Sequence, residues 1–141
     1  MWILAGQFVS IQFPYRYKES LYGRIPDPYI TISISTWYGW RNLGFLVDSG
    51  ADVSIVPKSI AELVGLDLRK ARKHRTFGVE GKGLLVYEGA LDIKIGTQQL
   101  KIPCLFSSQE KTPLLLGRSG LFNHFTIVFD NQYKKLVFRP F

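Results

Sequence analysis

Residues 45–57 read Phe-Leu-Val-Asp-Ser-Gly-Ala-Asp-Val-Ser-Ile-Val-Pro, a run in which an apolar segment leads into a carboxylate, a hydroxyl and a glycine. A short apolar strand predicted over residues 43–47 runs directly into Asp48, Ser49 and Gly50. A carboxylate at the end of a buried strand is costly unless it is hydrogen-bonded, paired or functional. Gly50 permits a tight turn, and the hydroxyl of Ser49 can hold the loop in place. The simpler structural alternative is an Asx-turn that only closes the strand.

The sequence on either side of this loop consists of short strands. Residues 29–35 alternate apolar and polar side chains, most of the apolar ones β-branched, which predicts a half-buried strand. The other predicted strands cover residues 7–13, 53–56, 84–88, 90–95, 100–106, 114–116, 125–129 and 135–138. Residues 14–28 are rich in Tyr, Arg, Pro and Gly and predict an irregular crossing.

Helices are few. One is predicted from residue 57 to about residue 64, with Pro57 at its start and Gly65 as its stop, and a second short one at Leu121-Phe122. Many short strands with one or two short helices predict an all-β, barrel-like domain. The length of 141 residues fits a single domain over residues 1–141.

The charge of the chain is strongly basic. The formal net charge is +7, and residues 69–75 form a dense cationic run. Such a run is typical of a solvated connector, and this is the interpretation we favour over a nucleic-acid interface, so nucleic acid is not expected as a partner.

The single cysteine, Cys104, bears on the compartment. It lies in an apolar run and cannot form an internal disulfide, so we expect a buried, inert thiol and a reducing, cytoplasmic location. The first residues lack a basic leader, and no stretch approaches the ~18 apolar residues of a membrane span, so no membrane partner is expected. No cofactor or metal is expected either, because no Cys, His or Asp cluster has metal-ligand spacing.

At residues 45–57 the chain resembles the active-site loop of retropepsin-like aspartic peptidases, the group of the retroviral proteases and the protease domain of Ddi-type proteins. Leu115-Leu116-Gly117, followed by Arg118, matches the apolar-apolar-Gly signature of that group. The resemblance implies a closed acid-protease barrel, half of a pepsin-type bilobal fold, with a core over about residues 29–138. Residues 1–28 would then be an N-terminal extension.

The resemblance also implies roles for particular residues. Asp48 would be the catalytic aspartate, braced by the Ser49 hydroxyl, and Asp52 would pair with Arg118 beside the structural Gly117. The implied substrate-binding residues are Gly50, which would also complete the catalytic loop, Ala51, Asp52, Ile55, Pro113 and Leu115, together with Gly78, Val79, Glu80 and Gly81 of a glycine-rich flap.

This chemistry needs two carboxylates about 3 Å apart that share one proton, one activating water and the other bonding the scissile carbonyl. Asp-Ser-Gly occurs once, and the related strand before Gly117 ends without an aspartate. We therefore expect an aspartic endopeptidase that works as a homodimer on polypeptides with apolar side chains, with Asp48 of each subunit at the two-fold axis.

Two other functions stay open at this point. The chain could be a catalytically silent retropepsin-fold binding or dimerisation module, since a fold does not fix a function. It could also be a basic nucleic-acid-binding protein that uses residues 69–75, in which case its binding would depend strongly on salt. Loss of cleavage on replacing Asp48 would favour the peptidase.

Overall fold

The computed structural model describes residues 9–76 and 83–141. Its strands are β1 (Ile11–Pro14), β2 (Arg16–Ser20), β3 (Gly23–Asp27), β4 (Tyr29–Thr36), β5 (Gly39–Val47), β6 (Ser54–Pro57), β7 (Lys73–Thr76), β8 (Leu84–Ile95), β9 (Gln98–Ser107), β10 (Leu115–Leu116), β11 (Phe125–Asp130) and β12 (Lys135–Pro140). One short α-helix, α1 (Ser59–Leu63), and a 3-10 turn at Leu68–Lys70 complete the described elements. The all-β expectation is confirmed.

Seven strands form the main sheet in the order β4-β5-β10-β6-β9-β8-β7. β4 also pairs with β8, where Ile34 lies opposite Ile93, so the sheet curls back on itself. The apolar positions of the alternating strands face inward and are almost fully buried, including Phe45, Phe106 and Leu116. This curled sheet supplies most of the core and holds the predicted catalytic loop at the end of β5.

A second sheet of three strands, in the order β1-β12-β11, packs beside the first. Its core is aromatic: Phe138 makes edge-to-face contacts with Phe13 and Phe125, with ring centroids 5.3 and 5.5 Å apart. Such pairs stabilise more than their buried area alone would. The predicted final hairpin is confirmed as β11 and β12.

The expectation of an irregular crossing over residues 14–28 was wrong. The segment is an exposed hairpin of β2 and β3, whose tip carries Leu21 and Tyr22. Gly23, with φ of +90°, closes the turn. The signal was missed because both faces of this ribbon are exposed, so it has no apolar periodicity.

At the base of this hairpin, the ring of Tyr29 packs between Gly44 and Arg16. The ring of Tyr29 lies where a Cβ of Gly44 would stand, so only glycine fits there. The Arg16 guanidinium lies 4.7 Å from the centre of the same ring. Pro28 O, immediately after β3, accepts a hydrogen bond of 2.8 Å from Val47 N–H. The hairpin therefore joins the body next to Asp48.

Three smaller expectations also changed. Leu121-Phe122 lies in a hydrogen-bonded turn in which both amides donate to Arg118 O, and the buried Leu121 contributes to the core from that turn. The predicted strands at residues 84–88 and 90–95 are one continuous strand, β8. The basic run is the 3-10 turn followed by β7, and is not only a connector.

Candidate active site

Asp48 stands where β5 ends, and its main chain is fixed by β10. The two strands run parallel, with Leu46 opposite Leu115 and Val47 opposite Leu116. Asp48 N–H donates to Leu116 O at 2.9 Å, which continues the pairing one residue further. The Asp48 carboxylate accepts from Gly50 N–H at 2.9 Å through Oδ1. The Asx-turn is thus present, and it leaves Oδ2 of the half-buried carboxylate without a hydrogen bond to the described residues.

Arg118 holds the loop from the opposite side. Its guanidinium donates to Ser49 O at 3.2 Å and forms an ion pair with the Asp52 carboxylate. Its backbone N–H donates to Ala51 O at 2.9 Å, and the next amide, Ser119 N–H, donates to Asp52 O at 2.9 Å. The structure therefore brings Arg118 and the residues from Ser49 to Asp52 together, and these contacts include the Asp52–Arg118 pair that the resemblance implied.

Gly117 is buried in the tightest part of this arrangement. A Cβ built on it would lie 2.5 Å from the carbonyl carbon of Val53 and 2.9 Å from Ala51 O. Its N–H donates to the buried hydroxyl of Ser54 at 3.0 Å. No other residue fits here without displacing the backbone of the Asp48 loop.

An apolar row crosses the sheet beside Asp48. Leu46 on β5 lies opposite Leu115 on β10, Leu115 opposite Ile55 on β6, and Ile55 opposite Leu105 on β9. Directly opposite residues share a face. Both chain neighbours of Leu46, Ile55 and Leu105 are buried, as is Leu116 beside Leu115, so the four residues lie on the face away from the core. All four are only half-buried. We call Leu46, Leu115, Ile55 and Leu105 the apolar row.

Of the three predicted pocket residues, two belong to the apolar row and one does not. Ile55 and Leu115 are directly paired within it, whereas Pro113 is exposed and precedes the paired part of β10. Leu46 and Leu105 were not predicted. For Leu46, the available sequence signal was the uninterrupted apolar run at residues 45–47. A strand that is apolar on both faces usually packs against other groups on both faces. Buried Ser54 was missed because nothing in sequence links it to Gly117.

The predicted flap residues Gly78, Val79, Glu80 and Gly81 lie outside the described residues. The strands on either side of them, β7 and β8, are antiparallel neighbours, with Thr76 opposite Leu84.

Acidic side chains partly offset the basic run. Arg69 bonds Asp67, which lowers the pKa of that carboxyl and raises the pKa of Arg69. Glu88 lies 3.7 Å from Arg72 and 3.8 Å from His74. This compensation covers Arg69, Arg72 and His74, whereas Lys73 and Arg75 form no ion pair within the described residues.

Burial raises the pKa of the Cys104 thiol to about 12. The side chain is almost fully buried, on the core face of β9. The thiol therefore stays protonated near neutral pH and is a poor nucleophile, as predicted.

The fold is that of retropepsin-like proteases. It is similar to a retropepsin-like aspartic protease from Rickettsia conorii, at 20% identity over 99% of this chain and 98% of that chain, with a TM-score of 0.68. It is also similar to the retroviral protease-like domain of Ddi1 from Leishmania major, at 21% identity over 82% of this chain and 93% of that chain, with a TM-score of 0.58.

Residues 39–123 match the family described as "gag-polyprotein putative aspartyl protease", and the chain belongs to this family. The matched segment includes the Asp48 loop, the apolar row and Gly117-Arg118. No curated protein is significantly similar in sequence to the chain. In the part of the chain that the structure describes, no helix is long and apolar enough to cross a membrane.

Proposed function

We propose that the protein is an aspartic endopeptidase whose active unit is a homodimer, with Asp48 of each subunit forming one shared site. The observation that carries this proposal is the pair of matching strand ends. β5 and β10 run side by side in register, and β5 leads into Asp48 whereas β10 leads into Gly117. Gly117 has no room for a side chain, which supports assigning the second carboxylate to another copy of the chain.

The reaction uses the two carboxylates in different protonation states. Like charges about 3 Å apart cannot both ionise, so the pair shares one proton. The ionised carboxylate takes a proton from water, whose oxygen attacks the scissile carbonyl carbon, while the protonated one donates a hydrogen bond to the carbonyl oxygen. The proton taken from water then passes from its carboxyl to the amide nitrogen as the C–N bond breaks. We expect an acidic to mildly acidic optimum, because one carboxyl must stay protonated.

The remaining loop residues position this chemistry. Gly50 N–H holds one oxygen of Asp48, and Arg118 holds the Ser49 carbonyl and the Asp52 carboxylate. A group held in this way loses little freedom when the substrate binds, which is how positioning lowers a barrier. Gly50 is exposed and its carbonyl is proposed to contact the substrate, and residues 78–81 are proposed as the flap.

The apolar row supports a polypeptide substrate with apolar side chains. Adjacent strands are about 4.8 Å apart, so Leu46 and Leu105 are separated by about 14 Å, the length of about four extended residues. Leu46 and Leu115 lie nearest to Asp48, and Leu105 marks the far end. We propose that apolar residues beside the scissile bond contact this row. The buried thiol of Cys104 suits a cytoplasmic location.

The test is cleavage of a library of apolar-centred peptides by purified protein from pH 4 to 8, with and without a statine-type inhibitor. We expect inhibitor-sensitive cleavage, with apolar residues on both sides of the broken bond and specific activity that rises with protein concentration. A dimer that folds correctly and does not cleave any peptide at any of these pH values would favour the silent binding module instead.

A further inference from the structure

β7 is the outer strand of the main sheet. It pairs with β8 on one side, and no described strand pairs with its other side. An unpaired strand edge is a template on which another extended chain can add, unless charge or covering elements prevent it. On β7, Lys73, His74 and Arg75 are all exposed.

The hydrogen-bond register shows which backbone groups of β7 are open. Glu88 N–H donates to Arg72 O at 2.8 Å, so residues 72 and 88 form a hydrogen-bonded pair. Antiparallel pairs alternate, so residues 74 and 76 also bond toward β8. On β8, Leu85 instead accepts from Ser108 on the β9 side, as this alternation requires. The N–H and C=O groups of Lys73 and Arg75 therefore point away from the sheet.

The two faces of β7 differ in charge compensation. Arg72 and His74 lie on one face, and both approach Glu88. Lys73 and Arg75 project from the other face, and within residues 9–76 and 83–141 neither forms an ion pair. The open edge thus combines two outward backbone pairs with two cations that no acidic side chain of the described residues compensates, on a chain of net charge +7.

We propose that β7 is a docking edge for an extended acidic polypeptide segment, which adds to the sheet as an eighth strand. Backbone hydrogen bonds to Lys73 and Arg75 hold the segment, and acidic side chains at alternate positions meet the two cations. A neutral or basic segment gains no ion pair or is repelled, so the charges that protect the edge from general pairing also select the partner.

This docking edge goes beyond the proposed function and does not depend on it. Lys73 and Arg75 lie on β7, whereas the apolar row ends on β9, two strands away. A substrate could use both, with an apolar segment at the row and an acidic segment at β7. The geometry of an open strand edge favours a polypeptide over a nucleic acid, because a nucleic acid offers no matching ladder of N–H and C=O groups.

Binding is best measured with the Asp48→Asn protein, so that cleavage cannot interfere. The probe is a fluorescently labelled eight-residue peptide with Glu at alternate positions between Thr and Val, observed by fluorescence anisotropy. Two matched probes replace Glu by Gln, or carry N-methyl groups on alternate amides along the edge. The protein variants are Lys73→Glu/Arg75→Glu and a control of equal net charge, Lys111→Glu/Arg139→Glu, with melting temperature measured for each.

We expect the Glu peptide to bind, with affinity falling at least about tenfold for the Gln and N-methylated peptides and for Lys73→Glu/Arg75→Glu. The charge-matched control should change affinity less than about threefold. Equal binding of the N-methylated peptide would overturn strand addition, as would unchanged binding by a well-folded Lys73→Glu/Arg75→Glu. Tighter binding of a single-stranded oligonucleotide at the same residues would overturn it in favour of nucleic acid.

Discussion

The ends of β5 and β10 are built alike and finish differently. Both strands end in apolar residues, they run parallel in register, and each leads into the same compact loop region. One ends at Asp48, whose carboxylate has an oxygen free to act. The other ends at Gly117, where a side chain would collide with Val53. In the proposed mechanism the first position carries the chemistry, whereas the second position provides close packing.

This difference bears on how the Asp48 loop is held. Gly117 lets β10 approach the Asp48 loop closely enough for Gly117 N–H to donate to the Ser54 hydroxyl and for Arg118 to donate to the Ser49 carbonyl. A carboxylate at residue 117 would prevent that approach. The close packing around Asp48 thus excludes a second acidic group at residue 117, and the proposed dimer would supply that group from the other subunit.

The largest effect is expected for Asp48→Asn. The amide oxygen of Asn can still accept from Gly50 N–H, so the fold should persist, whereas the shared proton and the general base are lost. We expect kcat/KM for an apolar peptide to fall by about 100- to 10,000-fold or more, with the melting temperature nearly unchanged. Retained cleavage by this variant would remove Asp48 from the mechanism.

Gly117→Ala tests the packing half of the comparison. The new Cβ would overlap the Val53 backbone, so we expect unfolding free energy to fall by about 1–3 kcal/mol and activity to drop with it. Denaturant unfolding measures the change. Gly50→Ala is the matched control: its Cβ would lie 3.3 Å from Asp48 Oδ1, and a loss below about 1 kcal/mol is expected. Equal losses would contradict the contrast.

Ser54→Ala tests the hydrogen bond to Gly117 separately from the packing around Gly117. It removes the acceptor for buried Gly117 N–H, and leaving that donor unsatisfied should cost about 1–3 kcal/mol of unfolding free energy. Ser33→Ala removes a hydroxyl that bonds Asn42 at the surface, and a change within about 0.5 kcal/mol is expected. The two variants are compared by urea unfolding, and a harmless Ser54→Ala would contradict the role of this bond.

Arg118→Lys should affect activity more than stability. Lysine keeps the charge but cannot bond the Ser49 carbonyl and the Asp52 carboxylate together in the same planar geometry. We expect kcat/KM to fall on the order of tenfold, since small displacements of a catalytic loop are costly. The exposed ion pair itself should contribute less than about 1 kcal/mol.

Arg69→Lys is the control for this substitution, because Arg69 also bonds an aspartate but lies far from Asp48 in the chain. Its activity should match the parent protein. An equal loss of activity in both variants would show that Arg118 has no special role in positioning the loop.

The smallest effect concerns Cys104. Its pKa is about 12 when folded and 9.0 for an ordinary thiol, so the folded state retains a proton that the unfolded state releases. The contribution of this thiol to the unfolding free energy is therefore fully present below about pH 9 and decreases as the pH rises toward 12.

The burial of Cys104 can also be tested chemically. A thiol reagent at pH 8 should modify denatured protein quickly and native protein slowly. Rapid modification of the native protein would contradict the burial of Cys104.

Much of this arrangement was predictable because it is local in sequence. Residues 45–57 contain the strand, the turn and Asp48 in one run, and Arg118 follows a recognisable apolar-apolar-Gly pattern. The apolar row was only partly predictable, since its four members come from four strands and meet through sheet register. A side chain such as Leu105 becomes a candidate only when its neighbour across the sheet is known.

The predictions for the exposed hairpin and for the turn at Leu121 were wrong for opposite reasons. β2 and β3 lack a buried face, so their pairing leaves no hydrophobic period to detect. Leu121 is fully buried but reaches the core from a turn. In the sequence, the apolar pair Leu121-Phe122 has the same pattern as the start of a short helix. Tertiary packing decides both cases.

The most direct test of the shared site is to mix parent protein with Asp48→Asn protein and let the subunits exchange. A mixed dimer has one carboxylate at the axis and should be inactive. With about a ninefold excess of Asp48→Asn subunits, random pairing leaves about one tenth of the parent subunits in active dimers. We therefore predict that activity per parent subunit falls to about one tenth. Activity per parent subunit that does not change with added Asp48→Asn would contradict a site made from two copies of Asp48.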